Sequence, residues 1–291
     1  MANTFNTQNT VSFALRHKYF QSSLQQQLRN SLVSTAIFKT DTSNNKTIEN
    51  PYISTGGTAS VAAITGDYTV SAMATTEDSL SVTDSVIVPT HVYDFEQKTA
   101  NFDLMADFLD DLAYQVRFNV DKWVLNKMLD IATGTYTTAA GGFTTPSNIP
   151  KIMGDLLGKV AGYAGGIGAN PFLVIESTDL TGFAQLQVSS GFNYADAALN
   201  NGFVANYMGV DIYVIRTGTF VTATFGTLTL TNSGHRLFGL KNLGVIANPG
   251  GFTYEEKSAT LKTGKEIVAY GYVGAKIWAN HLPLFVDITL V

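Results

Sequence analysis

The chain has no cysteine, so disulfides and thiolate chemistry are excluded, a composition that suits a reducing cytoplasm. Charge is scarce: Asp, Glu, Lys and Arg make up 14% of residues, where about 25% is usual. A basic excess is also missing. The net charge of −5 speaks against a protein that simply coats DNA. No uninterrupted apolar run approaches the roughly 18 residues that a membrane span needs. Met1 is not followed by a basic and then an apolar region, so no signal peptide is expected. No internal repeat is found.

Signatures of catalysis are missing too. His17, His91, His235 and His281 are scattered outside any zinc-ligand or HExxH spacing. Ser189 lies in Val-Ser-Ser-Gly and not in a nucleophile elbow. The glycine-rich run 165–171 precedes an apolar strand, whereas a phosphate cradle opens a helix. No catalytic, cofactor-binding or metal-ligating residue is therefore assigned, and the chain reads as a non-enzyme.

What is present is a real core. Apolar residues make up 45% of the 291, with 18 Phe and 13 Tyr, a composition that excludes disorder. The length allows two domains or one large one. Uncharged small residues take the place of the missing charge, with 35 Thr and 26 Gly. Two explanations stand side by side: much of the surface is buried against other chains, or the surface is simply Thr-rich.

Residues 1–38 contain no acidic residue, and Arg16, Lys18, Arg29 and Lys39 give the first 40 residues a charge of +4. Phe13, Phe20, Leu24 and Leu28 form the stripe of an amphipathic helix whose other face is Gln-rich. This segment reads as an arm that docks on another surface, or as a helix on its own domain. Residues 40–66 read as a polar connector. Alternation through Leu80, Val82, Val86 and Val88 predicts a long β-hairpin over 68–96, with a turn at 75–78. An isolated two-stranded ribbon is marginal in water, so it needs a partner surface within the chain or on a neighbour.

The strongest element is a helix over 101–133. Phe102, Met105, Leu109, Leu112, Val116, Val120, Val124 and Met128 keep helical spacing for roughly 50 Å. Its early Asp103, Asp107, Asp110 and Asp111 and late Arg117, Lys122 and Lys127 complement the helix dipole. The four aspartates form either a solvated acidic face or a site for Ca²⁺ or a basic segment. Gly134 is expected to stop the helix. An uncharged loop follows over 131–150, then a helix from about 148 with Pro150 in its first turn, ended by Gly162, Gly165, Gly166 and Gly168. Further expectations are a buried strand at 172–175, a third helix capped by Ser177, a Gly- and Asn-rich stretch at 191–202, a strand at 210–215 and a Thr-rich hairpin at 217–231. Short strands follow at 237–240, 243–247, 252–261, 267–278 and 284–291.

This order of elements resembles the major capsid protein of tailed bacteriophages, the Hong Kong 97-type fold, over nearly the whole chain. Residues 101–131 resemble that family's spine helix. Phe172-Leu173-Val174-Ile175-Glu176-Ser177 and Met208-Gly209-Val210-Asp211-Ile212-Tyr213-Val214 resemble its axial domain, and 265–277 its return strands. The resemblance implies an α+β fold in five segments: an N-terminal arm (1–49), an extended β-hairpin loop reaching over a neighbouring subunit (50–98), a peripheral domain with the spine helix (99–147), an α/β axial domain (148–250) and return strands (251–291). It implies self-assembly into pentamers and hexamers of an icosahedral shell around double-stranded DNA, which is contacted without sequence specificity. Portal, scaffolding and decoration proteins are the further partners it suggests, with no cofactor and no membrane. No scaffolding segment of about a hundred residues precedes the arm, so scaffolding, where used, would come from a separate protein. A nanocompartment shell of the encapsulin kind and a β-rich virion component such as a tail tube are the alternatives.

Overall fold

The computed structural model describes residues 32–41, 45–55, 74–93, 104–167, 170–190, 203–248, 251–258 and 263–291. Residues 1–31 of the expected arm, with its amphipathic stripe, residues 68–73 and 94–96 of the expected hairpin, Phe102, Asp103 and the stretch 191–202 lie outside the described residues.

In chain order the first half comprises α1 (Ser34–Ile37), β1 (Lys39–Asp41), β2 (Thr47–Thr55), β3 (Ala74–Ser81), β4 (Asp84–Val92), α2 (Leu104–Ile131) and β5 (Gly134–Thr137). Then follow α3 (Ile149–Ile167), β6 (Pro171–Glu176), α4 (Leu180–Ser190), β7 (Phe203–Tyr207) and β8 (Val210–Ile215). The remaining strands are β9 (Thr222–Phe225), β10 (Leu228–Thr231), β11 (His235–Leu240), β12 (Gly244–Ala247), β13 (Phe252–Ser258), β14 (Lys265–Ile277) and β15 (Val286–Thr289).

Helix α2 is the long helix that the apolar spacing predicts. Leu112, Val116, Val120, Val124 and Met128 are all buried, one turn apart. Trp123, Leu125, Asn126 and Leu129 are buried as well, so the last turns are enclosed on more than one side. One side lies on β14 and β4, and other contacts reach β10, β11 and β15. The helix thereby sits between two sheets and shares one continuous core with both.

The first sheet is built around the 13-residue strand β14. Residues 265–271 pair antiparallel with β13, 265–273 with β4, and 274–277 with β12, which pairs in turn with β1. The second sheet has the order β5-β15-β11-β6-β8-β7, with β5–β15 and β6–β8 parallel. Helix α3 packs on it through Ile149, Ile152, Met153, Leu156 and Val160, which recur at helical spacing and are buried. Strands from three of the five expected segments thus share one sheet, and β12 from the fourth segment joins β14 and β4.

Several local expectations are corrected. The expected hairpin over 68–96 does not turn at 75–78: the ribbon pairs β2 with β3, from Thr47–Ser81 to Thr55–Ala74. Residues 75–78 lie inside β3, and most of the described part of the expected connector is β1 and β2. The alternating pattern runs on across 82–83, where the chain actually leaves one sheet for another, so periodicity alone could not reveal the break. Ser177 does not cap α4: its Oγ pairs with Thr217 Oγ1 at 2.8 Å. Asp179, just before the helix, accepts the Glu176 N–H at 3.1 Å and faces Arg236. Helix α3 runs through Gly162, Gly165 and Gly166 to Ile167. Gly134 is no helix cap but opens β5, where a Cβ would stand 2.7 Å from the Phe285 carbonyl oxygen. The expected loop at 131–150 contains β5 and two turns of 3₁₀ helix.

Candidate assembly surfaces

The β2–β3 ribbon has little of its own core. Apart from Asp78 and Leu80, every residue of β3 is exposed, and Ile53 on β2 is 57% exposed. Nine residues of strand make it about 30 Å long. Among the described residues only its base is fastened. Leu80 packs with Val245, Ala247 and Trp278, joined by Ile48 and Val82. Beside this cluster Lys276 Nζ is bonded to the Asp78 carboxylate and, at 2.6 Å, to the Ser79 carbonyl. Asp78 also accepts the Ala279 N–H at 2.8 Å. Partial burial alone would raise the Asp78 carboxyl, but the Lys276 bond and charge and the Ala279 N–H outweigh it and hold it below the ordinary carboxylate range.

The chain leaves the ribbon at 82–83, and Asp84 fixes the change of direction. Its carboxylate accepts the Thr227 N–H and Thr227 hydroxyl, each at 2.7 Å, and the Thr83 hydroxyl at 3.0 Å. Thr227 lies in the tip of the β9–β10 hairpin, so this Thr-rich element serves as an internal strut and not only as polar surface.

A third anchor holds the root of the N-terminal segment. Asp121, buried on α2, accepts the N–H groups of Val33 at 3.0 Å and Ser34 at 2.6 Å. Burial pushes its carboxyl above the ordinary value, against the opposing bonds from Ser34 and Val33. Residues 33–38 are thereby tied to the spine. Nothing in the sequence distinguished Asp121 from the other aspartates of the helix, because its partner is 87 residues away.

Between β14 and β4 the register decides what faces outward. Ile267, Ala269, Gly271 and Val273 are buried on the α2 side, as are Asp84 and Val92 at the ends of β4. The other face carries Ile87 opposite Tyr270, Ser85 opposite Tyr272, and Pro89 opposite Val268. Ile87 is 57% and Tyr272 51% exposed. The rings of Tyr270 and Tyr272 meet edge-on at 5.8 Å, and Tyr270 donates to Glu255 at 3.1 Å. This is an apolar, aromatic face with few charges. Strand β13 flanks it, exposed along its whole length.

The groups that most resemble catalytic machinery are engaged within the fold. Buried Arg236 donates Nε to Asp179 at 2.5 Å and Nη1 to the His235 carbonyl at 2.7 Å, with Nη2 3.2 Å from Glu176. Glu176 also accepts the Gly218 N–H at 3.0 Å. His235 Nδ1 lies 2.8 Å from Asp287. Each polar group has a partner, as a structural cluster requires. His91 and His281 lie apart from it, and His17 lies outside the described residues. Of the early aspartates, the Asp103 residue and the Asp107 side chain lie outside the described residues; Asp110 is exposed and Asp111 half-buried. Among the described residues no three His, Asp or Glu side chains gather as metal ligands, and no helix is long and apolar enough to cross a membrane.

No family model matches the chain, and no curated protein matches it. Solved structures do. The capsid of the cyanophage P-SCSP1u superposes with a TM-score of 0.68 at 11% identity, covering 94% of this chain and 92% of the other. The mature capsid of bacteriophage PhiM1 gives 0.69 at 12%, covering 94% and 91%. The capsid of an empty GTA particle gives 0.69 at 15%, covering 94% and 95%. The chain has the capsid-protein fold of tailed bacteriophages. In this fold α2 is the spine, as the sequence resemblance implies, and β2–β3 is the projecting ribbon. At these identities the likeness is one of architecture, and it covers almost the full length of both partners.

Proposed function

We propose that the chain is the major structural subunit of a phage capsid, assembling with copies of itself into pentamers and hexamers of an icosahedral shell around double-stranded DNA. The observation that carries this reading is the ribbon together with the full-length capsid fold: a nine-residue β2 paired to a mostly exposed β3, fastened, among the described residues, only at its base. A ribbon of this kind is marginal alone and gains stability by lying on another subunit. Many modest contacts of this sort, closed into rings, hold a shell.

In this reading the five segments are functional parts of one folded unit: arm 1–49, extended loop 50–98, spine segment 99–147, axial segment 148–250 and return strands 251–291. The subunit is structural and not enzymatic, and it resides in the virion. DNA is contacted through the sequence-independent phosphate term, for which the basic residues before position 40 are suited. Portal, scaffolding and decoration proteins are the proposed further partners.

The test is negative-stain electron microscopy of the purified protein, with and without residues 1–30. Shells or capsomer rings are expected from the full chain, and impaired assembly of a folded subunit from the truncation. A monodisperse monomer at every concentration tried would overturn the reading.

A further inference from the structure

The β7–β8 hairpin carries a residue that is poorly suited to its place in the isolated subunit. Tyr207 pairs with Val210 across a two-residue loop. Both loop residues have positive φ: Met208 at 53° and Gly209 at 80°. This is the backbone sense of a type I′ turn, which favours Asn-Gly, Asp-Gly or Gly-Gly. Glycine suits the second position. Methionine does not suit the first, because its Cβ crowds the backbone at positive φ and it lacks the short polar group that lets Asn adopt that region. Met208 is also 50% exposed. One exposed apolar side chain on a surface needs no explanation. An exposed apolar side chain on a strained backbone bears two penalties at once, and among the described residues nothing covers the side chain. Such outliers persist where function requires them.

The loop is held firmly. Asn206 Oδ1 accepts the Gly209 N–H at 3.1 Å, and Asn206 Nδ2 donates to Asp211 at 2.8 Å. Asp211 is in turn bonded to Lys241, whose Nζ donates to the Tyr213 hydroxyl at 2.6 Å. Met208 therefore projects from a braced tip beside an acid and a base, Asp211 and Lys241, that neutralise each other. That neutrality argues against a charged ligand or nucleic acid at this point. It suits contact with an identical subunit, since bringing two such tips close involves no like-charge repulsion.

Resting on the capsid reading above, we infer that Met208 is an inter-subunit anchor, its side chain buried against a second copy of this chain when the protein assembles. Met208→Asn tests this directly. Asn suits positive φ, so the unassembled subunit should melt about 2 °C higher, while the concentration needed for assembly should rise about tenfold or more, since the lost contact recurs around each ring. The chain has no cysteine, so Met208→Cys introduces a single thiol. Maleimide should label it readily in free subunits and at least about tenfold more slowly in assembled particles, one decade of protection corresponding to about 1.4 kcal/mol. Equal labelling rates in particles and free subunits, or assembly of Met208→Asn at the wild-type concentration, would overturn the inference. If the unaltered chain itself forms no particles, the capsid reading fails first, and the two failures are distinguishable.

Discussion

Asn126 gives the sharpest test of how the spine helix is held. Its side chain is completely buried in the last turns of α2. Nδ2 donates to the Lys122 carbonyl at 2.8 Å and to the Thr219 carbonyl at 2.9 Å, and Oδ1 accepts the Val221 N–H at 3.3 Å. Asn232 closes the network, donating to the Asn126 backbone carbonyl at 3.0 Å and to Oδ1 at 3.3 Å. Replacement by alanine removes the side-chain partner of Thr219 and Val221, while Asn232 retains its bond to the backbone and Lys122 keeps its place in the helix. Two orphaned buried groups, at roughly 1–3 kcal/mol each, make a loss of about 3 kcal/mol the central expectation. With a urea m-value of about 3 kcal/mol/M for a chain of this size, the midpoint should fall by about 1 M with m unchanged. Urea unfolding of the unassembled subunit, followed by tryptophan fluorescence, reads this directly because Trp123 is one turn away and buried. A shift below about 0.3 M would mean that water or a rearranged loop satisfies the orphaned groups, and the network would not be what holds α2 to the 219–232 segment. Asn126→Leu separates volume from polarity: the apolar side chain fills the space but cannot pair, so it too should lose most of the stability.

Other expectations concern assembly and pH. Tyr272→Glu places a charge on the outer face of β14 without touching the core, so subunit stability should change by less than about 0.5 kcal/mol; sedimentation should show assembly suppressed, and undiminished particle yield would remove this face from the contact map. The Asp78 carboxyl is held below its ordinary 3.8, so its stabilisation of the ribbon base is complete above that value and is lost as pH falls through the lower folded value. Protection factors for the amides of 74–81, taken relative to intrinsic exchange, should fall in acid accordingly, and Lys276→Met should bring that loss of protection to neutral pH. Asp121 has the opposite sign: its raised folded value means that ionisation is penalised above it, and the penalty lifts as pH falls. Asp121→Asn keeps an acceptor for Val33 and Ser34, so it should remove this pH dependence while leaving protection of 33–38 intact; loss of that protection would show that the charge itself is required.

Most of the architecture was legible in the sequence because it rests on local periodicity. The stripe from Leu109 to Met128, the Phe172–Ile175 run and the Pro150 helix start each repeat a local rule within a few residues, and each element formed where that rule places it. The ribbon was misread for the same reason: Leu80, Val82, Val86 and Val88 alternate across a point where the chain changes sheets, and alternation carries no information about which strand is the partner. The low charge is likewise only partly a matter of interfaces. The Thr-rich 217–231 hairpin proved to be bound within the subunit, through Thr227 on Asp84 and Thr219 on Asn126.

By itself the sequence determined the helices, most strands, the scarcity of charge and the order of parts that resembles a capsid subunit, since these depend on spacing and composition. Tertiary structure alone decided that β3 pairs with β2, that Asp121, Asp84 and Asn126 are the buried anchors, and that Met208 stands strained at an exposed tip. Those facts depend on partners some 20 to 140 residues away, or on a backbone angle that no pattern of side chains reports. The physical reason is that hydrophobic spacing encodes which face of an element is buried, whereas pairing, anchoring and strain are fixed only when distant segments meet.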